Sequence, residues 1–381
     1  GAVFGEKNGW ERVNYFDPDR PWRRAGADQR VWGWVRPPYF EQVGEEHRAV
    51  RERVGIFDMT SFGKIEVSGP GALSLLQELT DNQIDKPVGR VTYTQFLNSR
   101  GGIESDLTVT RLGEDRFRVI SGSAFVGQDL GWILLHAPQD GSVEVREVTE
   151  ELSCIGLWGP DSRRVLQAVT DSDVSNESLP YMSAAWIDAS GSEILAQRVT
   201  YVGELGWELY TPRGQAIPVW ETLMEAGHEF GIQPAGYKAL ESLRLEKGYR
   251  YWSADMTPAE NPYEAGLGFC VRLRKGEFIG REALLRVKEQ GPNRRLSTLA
   301  VEAEPGDLYG GEAVYADGRL VGRVRSGGYG YTVEKNIALA YLPIELAEQG
   351  KNLQVEVFGE QSGANVVPDV LYDPDRSRLK A

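Results

Sequence analysis

The sequence predicts an α+β protein built on antiparallel sheets and closed at its C-terminal end by a small antiparallel β-barrel. Three observations carry that expectation. Short alternating runs, 44 glycines and 38 aromatic side chains (Trp 10, Tyr 16, Phe 12) indicate abundant strands and turns. A strand–Gly-Pro–helix pattern occurs twice, at an offset of 90 residues. A polar Gly/Pro/Asn stretch at 291–295 is followed only by short strands separated by turns. At 381 residues the chain exceeds one hydrophobic core and should divide into two or three domains.

In chain order, residues 1–38 hold Trp10, Tyr15, Phe16, Trp22, Trp32 and Trp34 with no regular period. So many large aromatics exclude a disordered tail, and the segment reads as an irregular aromatic arm or linker lying on another surface. A body follows over 39–290. Phe40, Val43, His47, Val50 and Val54 fall near helical spacing, so 39–54 is expected as an amphipathic helix that Gly55 breaks. Strands are expected near 64–67, 93–97, 103–110 and 117–121, and a helix over 127–136. The echo sets Val67-Ser68-Gly69-Pro70, Leu76-Gln77 and Thr80 against Leu157-Trp158-Gly159-Pro160, Leu166-Gln167 and Thr170. Proline is tolerated in the first turn of a helix, so each copy reads as strand, turn, helix. Two such units imply two related α+β halves packed together. Strands near 186–188, 193–200 and 206–211 and helices over 216–230 and 236–245 complete the body. The barrel over 291–381 is read from strands at 296–301, 313–315, 320–326, 336–341 and 353–358.

A formal charge of -14 with no basic stripe argues against nucleic acid or an anionic membrane as partner. No apolar run is long enough to span a bilayer, and no signal peptide is visible. Cys154 and Cys270 both lie in apolar segments and read as buried thiols of a reducing compartment. A cytoplasmic protein is therefore expected. The chain opens on Gly1 in place of Met, which is compatible with a portion preceding it.

Several chemistries are set aside. No Gly-x-Gly-x-x-Gly joins a strand to a helix, so no dinucleotide site is read. Gly63-Lys64 and Gly350-Lys351 lack the rest of a phosphate loop. His47, His136 and His228 are isolated from one another and from both cysteines, giving no metal set; each reads as a surface or helix-face residue. No Gly-x-Ser-x-Gly elbow occurs.

Carboxylates and aromatics remain. Asn98-Ser99-Arg100-Gly101-Gly102 opens into an alternating strand with Ile103, Ser105, Leu107 and Val109 on one face and Glu104, Asp106, Thr108 and Thr110 on the other. Asp is disfavoured in strand interiors. Either this face meets water, or Asp106 is a functional carboxylate. A second constellation runs from Thr200 to Tyr210, with Glu204 in a Gly-flanked turn, Glu208 in the returning strand, and Tyr201 and Trp207 beside them. A carboxylate accepting two N–H groups of a 2-amino-4-oxo heterocycle between aromatic walls suits these residue types. A plain acidic surface hairpin suits them too.

Taken together, Tyr93-Thr94, Leu97-Asn98, Gly101-Gly102-Ile103, Asp106-Leu107, the Tyr201–Glu208 hairpin, Leu243-Arg244-Leu245-Glu246 and Phe278-Ile279-Gly280-Arg281-Glu282 resemble the glycine-cleavage T-protein (aminomethyltransferase) family. The closer likeness is to the folate-binding C-terminal half of dimethylglycine and sarcosine oxidising flavoenzymes. It is carried by Phe4–Arg12, Gly236–Arg244 and Leu371-Tyr372-Asp373-Pro374. Leu240 stands where T-proteins usually carry Arg. The resemblance implies a three-domain cloverleaf around tetrahydrofolate, with Asp106 as catalytic carboxylate and Glu208 on the pterin amino edge. Tyr93 and Tyr201 would line the pocket. It implies capture of the iminium or formaldehyde unit of an N-methyl amine as 5,10-methylenetetrahydrofolate, fed by a flavin-dependent oxidoreductase domain or subunit. The same fold would also serve an O- or S-demethylase giving 5-methyltetrahydrofolate, or a non-enzymatic folate-binding accessory protein. Relatives of the last kind carry Lys-Gly-Cys, where this chain has Lys247-Gly248-Tyr249.

Overall fold

The computed structural model describes residues 1–18, 36–189, 191–304 and 308–381. Of the aromatic arm, Trp22, Trp32 and Trp34 lie outside the described residues. The part that is described corrects the expectation of an irregular arm, because it is a β-hairpin, β1 (Ala2–Lys7) and β2 (Trp10–Phe16). Its turn is Asn8-Gly9 with φ of 52° and 81°, the pair of positive angles that a two-residue hairpin turn of matching twist requires. The hairpin is seated from outside its own sequence. Glu46 accepts the backbone N–H of Phe16 at 2.5 Å and that of Gly236 at 2.9 Å, and Arg12 lies 3.2 Å over the Tyr237 ring.

Helix α1 (Phe40–Glu52) buries Val43, His47, Ala49 and Val50 on the face its apolar spacing foretells. Then come β3 (Gly55–Asp58), β4 (Gly63–Ser68), α2 (Ala72–Leu79), β5 (Val91–Leu97), β6 (Ile103–Gly113), β7 (Arg116–Ser121), α3 (Val126–His136) and β8 (Glu144–Glu147). The second unit holds β9 (Leu152–Trp158), α4 (Ser162–Ala168), β10 (Ala184–Ala189), β11 (Ser192–Gln197), β12 (Gly206–Pro212) and α5 (Ala216–Gly227), followed by β13 (Gln233–Pro234) and α6 (Tyr237–Glu246). A helix with no counterpart in the sequence reading, α7 (Arg281–Gln290), leads into the barrel.

The internal echo is real at the level of topology. One sheet has the order β5-β6-β7-β4-β8 and the other β10-β11-β12-β9-β3-β13, so strand, helix and three-strand meander recur in the same arrangement. The last partners are exchanged. β3 precedes β4 in the chain yet pairs antiparallel with β9, and β8 precedes β9 yet pairs antiparallel with β4. Each half therefore completes the other's sheet. At the repeated Gly-Pro turns Gly69 and Gly159 have φ of 108° and 140°, and a Cβ on either would stand 2.4 Å from a carbonyl oxygen, of Ser142 or Arg53.

The C-terminal strands β14 (Arg294–Val301), β15 (Ala313–Ala316), β16 (Arg319–Gly330), β17 (Lys335–Pro343), β18 (Asn352–Val357) and β19 (Glu360–Val367) close into a barrel of order β14-β17-β16-β15-β18-β19. Pairing of β14 with β19 leaves no free edge. Strand β19, which the sequence reading passed over, supplies that closure. Among the described residues no helix is long and apolar enough to cross a membrane.

Candidate active site

The β5–β6 hairpin sets the first carboxylate. Asn98 organises its turn: Oδ1 accepts the N–H of Arg100 at 2.9 Å and of Gly102 at 3.0 Å, while Nδ2 donates to Glu104 Oε1 at 2.8 Å. The loop after α6 clamps the strand, with Trp252 Nε1 donating to the Ile103 carbonyl at 3.1 Å. The register then places Gln95 beside Asp106 and Tyr93 beside Thr108. These four share one face with Thr110 of β6 itself and with Ile120, Arg118 and Lys64 of the neighbouring strands.

That face is turned inward, with Gln95, Thr110, Arg118 and Lys64 buried and Tyr93, Asp106 and Thr108 partly so. It looks into the space between the two sheets, where Ile120 packs with Cys154, Leu195 and Tyr210 of the second sheet. Thr110 Oγ1 donates to Gln197 Oε1 at 2.6 Å, joining β6 to β11 directly. Gln197 in turn pairs in register with Glu208. Asp106 and Glu208 thus stand along one polar strip between the sheets, with about 13 Å of β6 separating Asp106 from the Thr110 crossing.

Asp106 is half-buried and accepts a hydrogen bond from Gln95 Nε2 at 2.8 Å, with the Tyr93 hydroxyl as a second donor. Burial pushes its carboxyl up to about 7, the two hydrogen bonds working against that rise and the nearby Asp81 and Asp129 adding to it. Burial likewise raises Glu208 to about 7, opposed by the Tyr210 hydroxyl, which donates at 2.6 Å, and by the charge of Lys64. Lys64 is itself wholly buried, donates at 2.8 Å to the carbonyls of Thr60 and Phe62, and is brought down to about 8 by burial.

Tyr93 stacks on Phe269 with ring centroids 6.4 Å apart. Tyr201 lies 6.0 Å from Tyr249 in a stacked pair and donates to the Arg250 carbonyl at 2.8 Å. Tyr93 and Tyr201 both lie close enough to feel the charge of Asp106, and Glu208 lies farther along the same strip. Among the described residues, buried polar atoms along this strip without a hydrogen-bond partner include Gln95 Oε1, Thr108 Oγ1, Gln197 Nε2, and Nε and Nη1 of Arg118. Acceptors and donors both left unsatisfied in an interior are the lining that a heterocycle bearing both kinds of group would complete.

One residue departs from the sequence reading. Glu204, read either as a ligand carboxylate or as part of an acidic surface hairpin, is buried and paired with Arg51 at 3.1 Å. His47 lies on the helix face that its spacing implies, fully buried between Ser242 Oγ at 3.0 Å and Thr332 Oγ1 at 2.7 Å, and burial pulls its pKa down. Sequence reasoning also missed Gln95, Lys64 and Arg118. A signal for Lys64 was available, since a lysine flanked by Gly63, Ile65 and Val67 in a strand is out of place unless its face is polar. Gln95 carried none without the register. No group of three or more His, Cys, Asp or Glu that could hold a metal ion occurs among the described residues.

Comparison with known proteins adds a lineage to this geometry. Residues 1–275 match the family model of the GCVT N-terminal domain, and residues 294–373 that of the glycine cleavage T-protein C-terminal barrel domain. The chain is 36% identical to an aminomethyltransferase of Symbiobacterium thermophilum over 89% of its own length and 92% of that protein. It is 37% identical to mitochondrial dimethylglycine dehydrogenase of Rattus norvegicus over 98% of its length. It is 38% identical to 4-methylaminobutanoate oxidase (formaldehyde-forming) of Paenarthrobacter nicotinovorans over its whole length. The chain spans only 43% and 45% of those two proteins. Among solved structures, glycine cleavage system aminomethyltransferase T from Bartonella henselae superposes with a TM-score of 0.83 at 26% identity, covering 98% of this chain and 95% of that one.

Proposed function

The chain belongs to the glycine-cleavage T-protein family, and from that membership we propose that it captures the one-carbon unit released when an N-methyl amine of the dimethylglycine or sarcosine type is oxidised, giving 5,10-methylenetetrahydrofolate. Aminomethyltransferases of this family bind tetrahydrofolate and act as transferases. The observation that carries the narrower reading is Asp106, a raised carboxyl fixed by Gln95 and Tyr93 on an interior face. The residues present fit the folate. Gln95, Thr108 and Gln197 leave buried polar atoms unsatisfied on that strip, Glu208 offers a second carboxylate, and Tyr93 and Tyr201 offer aromatic walls.

Tetrahydrofolate supplies the nitrogen nucleophiles that take up the carbon unit. Asp106 accepts the proton that must leave as the new C–N bond forms, and its negative charge stabilises the neighbouring iminium cation. Gln95 holds Oδ1 of Asp106, so the proton acceptor keeps one orientation. Glu208 would accept the N–H groups of the pterin amino edge and so orient the ring without entering the chemistry.

The oxidation itself is assigned to a flavin-dependent domain or subunit, because the amine-oxidising relatives are more than twice as long as this chain. The hairpin β1–β2, whose Phe4 is exposed, belongs in this reading to the joint with that partner. The division into arm, body and barrel near residues 38 and 290 is part of the same proposal. Single-turnover reaction of the chain with tetrahydrofolate and an iminium or formaldehyde donor tests it. The expected product is 5,10-methylenetetrahydrofolate; 5-methyltetrahydrofolate formed from an O- or S-methyl donor would overturn it.

A further inference from the structure

Strand β5 ends its sheet, and Gln95, which holds Asp106, lies in the middle of that strand. A terminal strand leaves a row of main-chain N–H and C=O groups to be answered from elsewhere. The segment Thr80-Asp81-Asn82, which follows α2, answers them. Thr80 bridges Phe96, Asp81 donates its N–H to the Gln95 carbonyl at 3.2 Å, and Asn82 Nδ2 donates to the Tyr93 carbonyl at 2.8 Å. Asp81 also acts through its side chain: Oδ1 accepts the Gln95 N–H at 3.0 Å and the Thr94 hydroxyl at 2.8 Å. One residue thus grips both main-chain groups of Gln95, whose own amide reaches Asp106 Oδ1 at 2.8 Å.

Covering an edge needs an acceptor, and a neutral Asn would supply one. Asp81 is instead a fully buried carboxylate whose Oδ2 has no hydrogen-bond partner among the described residues. Lys275 feels its charge but directs its ammonium to the Gln77 carbonyl at 2.6 Å, with Gln77 Oε1 at 3.2 Å and Thr80 Oγ1 at 3.3 Å. A buried carboxylate with one oxygen unanswered costs stability that edge cover alone does not require. Burial raises Asp81 to about 6, opposed by the Gln95 N–H, the Thr94 hydroxyl and the charge of Lys275, so it is ionised where Asp106, near 7, still exchanges its proton. The other titratable groups around the two carboxylates are Asp129, Cys270, Tyr93, Tyr201 and Tyr263; the Cys270 thiol feels both charges and burial keeps it protonated.

We propose that Asp81 is a positioning residue of the transfer: it grips Gln95 so that Asp106 keeps one orientation, and its carboxylate makes Asp106 a stronger proton acceptor. The inference rests on the one-carbon reading above and deepens it by naming a residue one step removed from the reacting atoms. A like charge in a protein interior disfavours ionisation of its neighbour, so Asp106 holds its proton more firmly once it has taken it. Gln95 carries the geometric half of the effect, because a proton acceptor is useful only while it faces the nitrogen that loses the proton.

Single-turnover transfer from a formaldehyde donor to tetrahydrofolate, followed across pH on the whole chain, tests it. Asp81→Asn keeps an acceptor for Gln95 and Thr94 and removes the charge. The pH at which the rate reaches half its plateau should move down by about half a unit or more, with tetrahydrofolate affinity unchanged in calorimetry. Gln95→Met cuts the link from the other side and removes a hydrogen bond to ionised Asp106, so there the midpoint should move up. A site merely loosened by either substitution would not shift the two midpoints in opposite directions. Asp81→Ser removes the same charge and reads the same displacement if the Asn variant does not fold. Carbon-13 NMR of the Asp106 carboxyl, assigned by its loss in Asp106→Asn, gives these midpoints without turnover. A midpoint that stays in place or rises in a folded variant lacking the Asp81 charge, or that fails to rise in Gln95→Met, overturns the inference while the one-carbon reading stands. Failure of the parent chain to bind tetrahydrofolate or to transfer carbon overturns that reading, and this inference with it.

Discussion

Asp106 concentrates the chemistry in one side chain, and its environment sets two opposed consequences. A proton acceptor must be ionised, and with the carboxyl near 7 the transfer rate should climb as pH rises through about 7 and level off above it. Asp106→Asn keeps shape and hydrogen bonding but removes charge and basicity. It should slow single-turnover transfer by roughly 10²- to 10⁴-fold, abolish that pH dependence, and leave tetrahydrofolate affinity within a few-fold. The same raised pKa predicts a stability effect of the other sign. Between the unfolded value near 3.9 and the folded value near 7 the native state holds the extra proton, so its advantage fades as pH rises through that window. Thermal melts should find Asp106→Asn more stable than the parent at pH 8, by roughly 1–2 kcal/mol once partial exposure is discounted, with the gap narrowing as pH falls below about 7 and closing only near pH 4. Glu208→Gln should weaken tetrahydrofolate binding by about 1.5–3 kcal/mol in calorimetry, the loss expected for a charge-assisted hydrogen bond, and change the rate of bound substrate far less. An Asn variant transferring carbon at the parental rate would make Asp106 a bystander.

At the scale of elements, the β5–β6 hairpin and the loop from Tyr249 to Glu264 behave as one device. Ile103 donates its N–H to the Glu260 carbonyl at 2.9 Å, Trp252 holds the Ile103 carbonyl, and Gly102 passes close beneath Pro258. A Cβ at Gly102 would stand 2.0 Å from the Pro258 carbonyl oxygen and 2.8 Å from Asn98 Nδ2. Backbone cannot yield as a flexible side chain can, so Gly102→Ala should cost about 1–3 kcal/mol in urea denaturation. Because the strand carrying Asp106 shifts with the turn, the same variant should also transfer carbon more slowly. A variant of parental stability would show that the loop is not seated on the hairpin.

The whole molecule is locked where α1, the second sheet, α6 and the C-terminal segment meet. Arg51, only 3% exposed, donates to the carbonyls of Val202 at 2.6 Å and Leu243 at 3.2 Å and pairs with Glu204 at 3.1 Å and Glu246 at 2.9 Å. Its guanidinium lies 3.9 Å over the Tyr372 ring. Glu246 also accepts the N–H of Thr332 and Val333, which follow β16 of the barrel. Arg51→Met would strand two buried carboxylates, and such a loss typically costs 3–5 kcal/mol. Denaturant titration should show a fall of about that size at pH 7, little affected by salt because the pairs are screened from solvent. A change within about 0.5 kcal/mol would mean that the knot is not what joins these parts.

What the sequence determined by itself follows from local periodicity. The alternation at 103–110, the helical spacing at 40–54, the repeated Gly-Pro turns and the barrel strands each depend on neighbours a few residues away, and the structure bears them out. The oddness of an aspartate in mid-strand was equally local, so Asp106 could be singled out before any fold was known. Only the tertiary structure decided which way that strand faced. A period of two tells the faces apart but not which one meets water, and the answer came from a second sheet whose Gln197 lies 87 residues from Thr110. The same limit hid the roles of Gln95, Glu204 and His47, whose partners are supplied by register or by segments far along the chain. It also hid the exchange of β3 and β8 between the two halves, because an internal repeat in sequence specifies what each unit looks like and not which unit's sheet its neighbouring strand will complete.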